Sequence, residues 1–469
     1  MRPCPAESAR GRSGRQSGPG SCPGDHPSDP VNQALSESLR FDMRPFRILL
    51  IAGEPSGDRL AAELVEQLRP RLIELGAQPT PETLPRRTAL PPEFFGAGGR
   101  ALRQAGAELL CDLTPWASIG LFDVLPRLKH YYRAFRQLYQ AAVERQPDVI
   151  LGVDYGAFNL RFAAAIRRYL RRRQDWFHPW QPVLVQFVSP QVWASRPGRA
   201  AQMERTLDLL LSILPFEPEW FAHHAPRLPV RFVGHPLVDR WPVGASSVHR
   251  PSTAGAPRLV LLPGSRPDEL RRHGPLLAAT WRRLRQRWPN LEGRCVVPDP
   301  SLVPMLRQTE WPAEVPVEAG PAAPALCRAD LALTKSGTIT LECALAGLPA
   351  IVFYKTAALT YRVGRHLVHV RHLAMPNLLA PEPVYPELVQ DQATPERLAA
   401  LIEELWLDDA RRLRIREALQ QVRARLGPPG ACARAAEAIV ECLRRKPTGL
   451  PVPATNARVL PAATLARAA

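Results

Sequence analysis

The sequence predicts an α/β fold made of two doubly wound domains, each a parallel sheet covered by helices. Three observations support this: the length of 469 residues, the alternation of short apolar runs with longer helical patterns, and the repetition of that alternation in both halves. A chain of this length exceeds one ordinary hydrophobic core. Runs that are apolar on both faces are typical of buried parallel strands.

In the first half, three apolar runs are each followed by a helical pattern. The runs are RILLIAG at 47–53, PDVILGVD at 147–154 and PVLVQFVSP at 182–190, and the helical patterns cover 59–76, 158–173 and 198–208. This alternation predicts strand–helix–strand units with parallel strands.

The second half repeats the alternation. Its apolar runs are RLVLLPGSR at 258–266, GRCVVP at 293–298, ADLALTKSG at 329–337 and PAIVFYK at 349–355, with helical patterns over 268–288 and 338–346. We therefore expect an N-terminal domain over 43–240, a linker over 241–257 and a C-terminal domain over 258–445, whose last helices are free to pack back on the first domain. Residues 1–42 and 446–469 lack apolar periodicity, and we predict disorder there.

Composition limits the partners, membrane spans and metal sites that we expect. The net charge of +17 permits an anionic partner such as nucleic acid, anionic lipid or a phosphorylated substrate, and charge alone does not choose among them. No run approaches the roughly 18–20 apolar residues of a membrane-spanning helix. The eight cysteines are scattered without metal-ligand spacing, which predicts reduced thiols and no metal site.

In doubly wound sheets, ligands bind beyond the carboxyl ends of the strands, so we examined the residues after each run. GEPSGD at 53–58 has two glycines and a capping Ser56 or Asp58, which fits a ligand-facing helix N-terminus as well as a plain turn.

FFGAGGRAL at 94–102 formally matches G-x-G-x-x-A, but it does not follow the first strand, so we expect a cleft-lining glycine loop. Asp154 ends a strand, where a carboxylate serves either as a loop cap or as a general base.

Two loops of the second half combine features of an anion site. KSGTITLE at 335–342 brings an ammonium, two hydroxyls and helix N–H groups together, and Glu342 can face the hydroxyls of a ligand. LPGSR at 262–266 adds a loop backbone, a hydroxyl and the forked guanidinium of Arg266. Phosphate plus sugar hydroxyls describe a nucleotide, so we expect a diphosphate in this half.

Two further segments can be explained by structure alone, without a ligand. Residues 116–140 carry one apolar stripe at helical spacing, which fits either a core helix or an apolar surface with basic flanks for acyl chains. The three histidines of HLVHVRH at 366–372 are three residues apart and cannot converge on a metal.

Together these segments resemble the lipid-A-disaccharide synthase family, glycosyltransferases of the two-domain, Rossmann-like GT-B architecture, from about 47 to about 443. The matching motifs are AGEPSGD (52–58), GAGGRAL (96–102), IGLFDVLPRL (119–128), GVDYGAFNLR (152–161), VSPQVWASRPGR (188–199), ILPFEPEWF (213–221), FVGHPLVD (232–239), LPGSR (262–266), KSGTITLE (335–342), PNLLA (376–380) and PELVQ (386–390).

The resemblance implies a hexosyltransferase that moves 2,3-diacylglucosamine from its UDP derivative to the 6-hydroxyl of 2,3-diacylglucosamine 1-phosphate, with inversion, without a cofactor or metal. Asp154 and Arg266 would be catalytic. The UDP and donor side would comprise Gly264, Ser265, Ser336, Gly337, Thr338, Glu342, Asn377 and Gln390, and the acceptor cleft Glu54, Ser56, Gly57, Asp58 and Asp123. His235 would be either a strand-end structural residue or a donor contact.

The chain also departs from the family pattern. Where the family reads D-A-P-D-F-N, this chain has Asp154, Tyr155, Gly156 and Ala157 before Phe158-Asn159, so the second carboxylate is missing. Ser195 replaces a tryptophan, Asp123 replaces a glutamate, and Lys335 replaces a small residue, which would add a phosphate contact.

The expected location is the cytoplasm, peripheral on the inner face of the cytoplasmic membrane, with no nucleic acid bound and a homodimer left open. Two other functions are alternatives to this transferase. One is a GT-B enzyme that adds N-acetylglucosamine to a lipid-linked peptidoglycan precursor. The other is a basic nucleic-acid-binding protein, which would interleave aromatics with arginines on one surface.

Overall fold

The fold consists of two separate parallel sheets within one compact unit that begins at Arg44. The structure is a computed structural model that describes residues 44–77, 90–114, 124–173, 180–242, 244–248, 250–251, 253, 255–357, 361–362 and 370–445. Side chains of 124–128 lie outside this description.

The first sheet has seven parallel strands in the order β3-β2-β1-β4-β5-β6-β7. They are β1 (Arg47–Ala52), β2 (Glu93–Ala97), β3 (Glu108–Cys111), β4 (Val149–Val153), β5 (Val183–Phe187), β6 (Leu209–Ser212) and β7 (Val230–Phe232). The order reverses between β1 and β4, where Ile48 pairs with Val149.

Helices cover both faces of this sheet. They are α1 (Pro55–Ala77), α2 (Arg100–Gln104), α3 (Val124–Arg145), α4 (Gly156–Arg172), α5 (Val192–Ser195), α6 (Ala200–Thr206), α7 (Glu217–His224) and α8 (Pro236–Arg240), with a 3₁₀ turn at Pro197–Arg199. One core lies on each face of the sheet. The apolar strand residues therefore alternate between two buried layers, as a doubly covered parallel sheet requires.

The second sheet has six parallel strands in the order β10-β9-β8-β11-β12-β13. They are β8 (Arg258–Leu262), β9 (Glu292–Val297), β10 (Val317–Ala319), β11 (Leu331–Lys335), β12 (Ala350–Tyr354) and β13 (Glu387–Val389). The order reverses between β8 and β11.

The helices of the second half continue the same layering. They are α9 (Pro267–Arg287), α10 (Leu302–Arg307), α11 (Ala323–Arg328), α12 (Ile339–Leu345), α13 (Met375–Leu379), α14 (Pro395–Leu407), α15 (Asp409–Arg425) and α16 (Ala431–Arg445), with a 3₁₀ turn at Gln390–Gln392. None of the helices within the described ranges is both long enough and apolar enough to cross a membrane.

Two segments tie the halves together. The buried face of α16, including Ala435 and Ile439, joins the core of the first sheet, although the helix follows the second sheet in sequence. Conversely, Leu214 and Trp241 are buried in the core of the second sheet. The domain bounds given above stay a prediction, and these contacts show that each half borrows apolar side chains from the other.

The predicted fold class is confirmed, and every predicted strand is present. Sequence analysis missed β2, β3, β6, β7, β10 and β13, because these strands are short or carry charged residues. The GAGG segment is therefore partly strand and not only a loop: Gly96 lies in β2 with φ 146°, and a Cβ there would lie 2.0 Å from the carbonyl oxygen of Leu50. Only glycine allows this close approach of two strands.

The apolar stripe predicted within 116–140 forms α3 from Val124 onward, and residues 115–123 lie outside the described residues. Leu138 and Ala142 are buried in the core of the first sheet, and Phe135 packs against it. The core-helix interpretation is therefore confirmed for this part of the helix. An additional acyl-chain surface stays a prediction.

Candidate active site

The predicted motifs meet at the points where the strand order of each sheet reverses. In the first sheet, GEPSGD follows β1 and Asp154 follows β4; in the second, PGSR follows β8 and SGT follows β11. Adjacent parallel strands that leave their helices on opposite faces open a crevice at their carboxyl ends. Both crevices are therefore built from the loops that the sequence singled out.

Asp154 lies in the first crevice beside the loop after β1. The Ser56 hydroxyl donates to its Oδ2 atom over 3.5 Å. Burial raises the pKa of the Asp154 carboxyl, although the N–H of Tyr155 and the Ser56 hydroxyl oppose that shift. Gly57 allows the close packing, since a Cβ there would lie 3.3 Å from the Asp154 Cβ.

The backbone of Asp154 is held by buried amides. Its carbonyl oxygen accepts hydrogen bonds of 2.8 Å from both Asn159 Nδ2 and Gln186 Nε2, and its N–H donates to the Phe187 carbonyl over 2.8 Å. Asn159 and Gln186 are both buried. The strand end is therefore fixed from two directions.

Glu54 connects the two crevices electrostatically. Burial raises its pKa, the negative charge of Asp154 raises it further, and the positive charge of Arg266 lowers it. A charge perturbs a pKa only over a short range. The pKa of Glu54 therefore depends on charged groups from both halves of the chain, Asp154 and Arg266.

Asp58 binds the backbone of the GAGGRAL segment. Its carboxylate is buried and accepts three backbone N–H groups, from Gly99 at 2.6 Å, Ala101 at 2.9 Å and Leu102 at 3.1 Å. These bonds cap α2, where N–H groups otherwise lack partners. Both oxygens are thus engaged by the GAGGRAL segment, so Asp58 positions that segment, and its contact with an acceptor stays a prediction.

In the second crevice, the PGSR loop wraps around a carboxylate of its own helix. Glu269 Oε2 accepts the N–H groups of Ser265 at 2.8 Å and Arg266 at 3.3 Å. Gly264 has φ 132°, and a Cβ there would lie 2.3 Å from Glu269 Oε2. Ser265 and Arg266 are both exposed.

Lys335 links this loop to the one after β11. Its Nζ lies 3.1 Å from Glu269 Oε1, with both side chains mostly buried. Burial alone would raise the pKa of Glu269, but Lys335 and the loop N–H groups outweigh burial and lower it. A Cβ on Gly337, whose φ is 138°, would lie 3.1 Å from the same Nζ. The lysine therefore lies directly against the SGT turn.

The SGT turn and α12 present the remaining predicted nucleotide residues. Thr338 is exposed at the N-terminus of α12, and the Ser336 hydroxyl donates to the Leu373 carbonyl over 2.8 Å. Burial raises the pKa of Glu342 to about 7. A carboxyl group in this state can donate or accept a hydrogen bond near neutral pH.

Asn377 does not line the crevice as predicted. It is buried, its Nδ2 donates to the Tyr385 carbonyl and to Glu387, and its Oδ1 accepts the N–H groups of Val384 and Tyr385. Within the described residues, all four hydrogen-bonding positions of the amide are thus used. The Asn377 amide therefore binds the backbone of the loop before β13 and not a ligand.

Gln390 is likewise engaged by backbone. Its Oε1 accepts the Thr356 N–H at 2.8 Å and its Nε2 donates to the Thr356 carbonyl at 3.0 Å. This pair of bonds ties the end of β13 to the end of β12. One N–H of the amide is left over, so a contact with the donor stays a prediction.

Sequence analysis missed His273, which ties two crevice loops from below. Its Nδ1 is 2.6 Å from the Pro263 carbonyl and its Nε2 is 3.1 Å from the Lys355 carbonyl. The imidazole is fully buried, and burial lowers its pKa. The signal was a polar residue on the apolar face of α9, seven positions after Arg266.

Two other predicted residues complete the set. His235 is the N-cap of α8, where its Nδ1 accepts the Leu237 N–H at 3.1 Å, and burial lowers its pKa to about 4. These bonds favour the structural role over the donor contact. Asp123 lies outside the described residues, as do His366 and His369.

Comparison with known proteins identifies the family. A family model described as lipid-A-disaccharide synthetase matches residues 48–441. A lipid-A-disaccharide synthase of Anaeromyxobacter dehalogenans is 38% identical over 407 residues, covering 85% of this chain and 98% of that protein. One of Pseudomonas aeruginosa is 33% identical over 409 residues, covering 85% and 99%.

Solved structures show the same fold. The glycotransferase of kitacinnamycin matches with a TM-score of 0.50 at 18% identity, covering 85% of this chain and 100% of that one. The S. aureus MnaA protein in a co-structure with UDP matches with a TM-score of 0.50 at 13% identity, covering 85% and 97%. The two likenesses concern the fold alone. Sequence, fold and family model together place this chain in the lipid-A-disaccharide synthetase family, a family of hexosyltransferases.

Proposed function

We propose that this protein transfers 2,3-diacylglucosamine from UDP-2,3-diacylglucosamine to the 6-hydroxyl of 2,3-diacylglucosamine 1-phosphate, inverting the anomeric carbon and releasing UDP. The observation that carries the proposal is the placement of Asp154 after β4 and of Arg266 after β8, each at the point where the strand order of its sheet reverses. A base and an anion-stabilising group on opposite sides of one space are what a direct displacement requires.

Asp154 is the general base of this proposal. As the acceptor 6-hydroxyl attacks the anomeric carbon, its proton passes to the carboxylate and the bond from that carbon to the UDP oxygen breaks. Burial raises the pKa of Asp154, which makes it a stronger acceptor than an exposed aspartate. Ser56 supplies a hydrogen bond that orients one carboxylate oxygen.

The second crevice stabilises the leaving group. Negative charge develops on the β-phosphate as UDP departs, and fixed donors in a partly desolvated site stabilise it most. Arg266 offers two parallel N–H groups, and the exposed Thr338 of the SGT turn lies at the N-terminus of α12. Lys335 lies against that turn as a second cation.

Glu342 is proposed to bind the hydroxyls of the nucleotide ribose. It lies on the first turn of α12, on the same helix that meets the phosphates. With a pKa of about 7, it accepts from one hydroxyl when ionised and donates to another when protonated. This adaptability suits a site that releases UDP after each turnover.

Bonds between loops support a preorganised crevice in the second half. His273 joins the ends of β8 and β12, Gln390 joins β12 to β13, and the ion pair of Glu269 with Lys335 joins β8 to β11. Fixed loops need no reorganisation when charge develops, which is the basis of electrostatic catalysis. Diphosphate binding is thus assigned to a rigid scaffold.

Membrane docking is proposed as peripheral, on the anionic inner face of the cytoplasmic membrane. The net charge of +17 and the run of arginines at the end of α4, Arg171, Arg172 and Arg173, support attraction to anionic lipid. Diacylated substrates also have to be taken from a lipid surface. Self-association as a homodimer stays a prediction.

One assay tests the function. Purified protein is mixed with UDP-2,3-diacylglucosamine and the 1-phosphate acceptor, and the product is identified by mass spectrometry alongside UDP release. We expect a disaccharide 1-phosphate that appears in step with UDP. UDP release only with a lipid-linked peptidoglycan acceptor would support the alternative transferase. A salt-dependent nucleic-acid mobility shift without UDP release would support the third function.

A further inference from the structure

The turn that carries Asp154 has an unusual backbone. Asp154 has φ 53° and Tyr155 has φ 45° and ψ 42°, so two consecutive non-glycine residues are left-handed. Each costs roughly 1–2 kcal/mol relative to the right-handed conformation. The surrounding structure therefore has to hold this turn, and Tyr155 has no side-chain hydrogen bond to the helix that it caps.

The ring of Tyr155 lies directly over the loop after β1. A Cβ added to Gly53 would lie 2.3 Å from Tyr155 Cδ1 and 2.7 Å from Cε1. Gly53 is followed at once by Glu54, and Ser56 of the same loop contacts the Asp154 carboxylate. The ring thus packs on the backbone of the loop that faces the proposed base.

Two aromatic neighbours hold the ring from the helical side. Tyr131 of α3 stacks on it with ring centres 6.4 Å apart at 28°, and Phe158 of α4 lies 5.7 Å away at 31°. Burial raises the pKa of Tyr155, and the neighbouring Tyr131 side chain raises it further. The ring therefore joins β1, α3 and α4 at one point.

We propose that Tyr155 is a positioning residue that clamps the left-handed turn and thereby aims the Asp154 carboxylate at the acceptor hydroxyl. The inference rests on the proposed role of Asp154. The clamp consists of the packing of the ring against Gly53, Tyr131 and Phe158. It also explains why a tyrosine has this left-handed backbone conformation, which glycine would adopt at a lower free-energy cost.

Four variants distinguish the effect of the Tyr155 ring from the effect of the left-handed backbone conformation alone. Tyr155→Ala removes the ring, Tyr155→Gly removes the ring and relieves the backbone, and Tyr155→Phe and Tyr131→Phe each remove a hydroxyl and keep the packed ring. The matched control is Tyr139→Ala, which deletes an α3 ring that packs edge-on against Tyr169, with centres 6.1 Å apart.

We expect Tyr155→Ala and Tyr155→Gly to lower kcat by roughly 10- to 100-fold with KM changed less than threefold, since a small misplacement of a base has effects of that order. The acid limb of the pH–rate profile should shift to lower pH, because water reaches Asp154. Tyr155→Phe and Tyr131→Phe keep the packed rings and should leave kcat within threefold. Tyr139→Ala should leave kcat within twofold.

Three results would overturn the proposal: Tyr155→Gly as active as wild type, Tyr155→Ala with an unshifted acid limb, or a loss in Tyr155→Phe as large as the loss in Tyr155→Ala. Hydrogen–deuterium exchange of peptides covering 149–162 provides a readout without substrate. Faster exchange in Tyr155→Gly than in wild type supports the clamp even if no disaccharide forms, whereas equal exchange contradicts it.

Discussion

The crevices of the two sheets have the same topology but opposite chemistry. The first presents the carboxyl groups Asp154 and Glu54, both with a raised pKa, whereas the second presents the cations Arg266 and Lys335 beside the SGT turn. Six strands follow the same order in both sheets, and the first sheet adds a seventh strand at one edge. The difference teaches that one fold, used twice, supplies a proton acceptor on one side and an anion site on the other.

The two crevices are also held in different ways. Asp154 depends on a strained turn fixed by buried amides and by Tyr155, whereas the loops of the second sheet are tied to one another by His273, Gln390 and a buried ion pair. Changes in the first crevice should therefore affect turnover, and changes in the second should affect UDP affinity. The following predictions test that division.

The largest effect is expected for Asp154→Asn. Removing the base should lower kcat by roughly 100- to 10,000-fold. In wild type the ionised carboxylate is the active form and its folded-state pKa lies above the usual value of 3.8, so the rate should fall as the pH drops through that raised pKa. A pH–rate profile checks this, and an unchanged kcat in the variant would refute the assignment.

Asp58→Ala should cost stability instead of specific activity. It removes the carboxylate partner of three backbone N–H groups, two buried and one partly buried, which costs about 4 kcal/mol in the free energy of unfolding. Urea unfolding measures the loss, and Asp58→Asn, which keeps one acceptor, should lose less. A stable Asp58→Ala variant with a raised KM for acceptor would restore the predicted contact.

Glu217 predicts a pH-dependent stability in the first half. Burial raises its pKa to about 7 from 4.5, although Trp193 Nε1 donates to it over 3.1 Å. Its stabilising contribution is full below the unfolded pKa and is lost as the pH rises through about 7. Relative to Glu217→Gln, wild type should lose on the order of 3 kcal/mol between pH 4.5 and pH 8. Equal pH profiles of unfolding would contradict this.

The smallest effect is expected for Lys335→Met in the second crevice. Without the ammonium, Glu269 leaves an uncompensated negative charge beside the diphosphate, and UDP affinity should fall about tenfold, or 1.4 kcal/mol. The double variant Lys335→Met with Glu269→Gln should recover part of the loss, because the repulsion is gone. Calorimetric titration with UDP checks both, and additive losses would exclude the coupling.

Sequence analysis predicted the fold and the location of both crevices, because apolar runs and the rule for strand ends depend on local pattern. It could not separate residues that face a ligand from those that tie loops together. Asp58, Asn377 and His273 are polar residues near the same strand ends, and only their buried partners show that they bind backbone. That distinction depends on contacts between residues far apart in the chain.

The direct test of the division between the crevices is UDP binding by Asp154→Asn and Arg266→Ala, measured by calorimetry on protein from matched preparations. We predict that Asp154→Asn binds UDP within twofold of wild type while failing to turn over, and that Arg266→Ala binds UDP at least tenfold more weakly. Weak UDP binding by Asp154→Asn together with full affinity in Arg266→Ala would contradict the account.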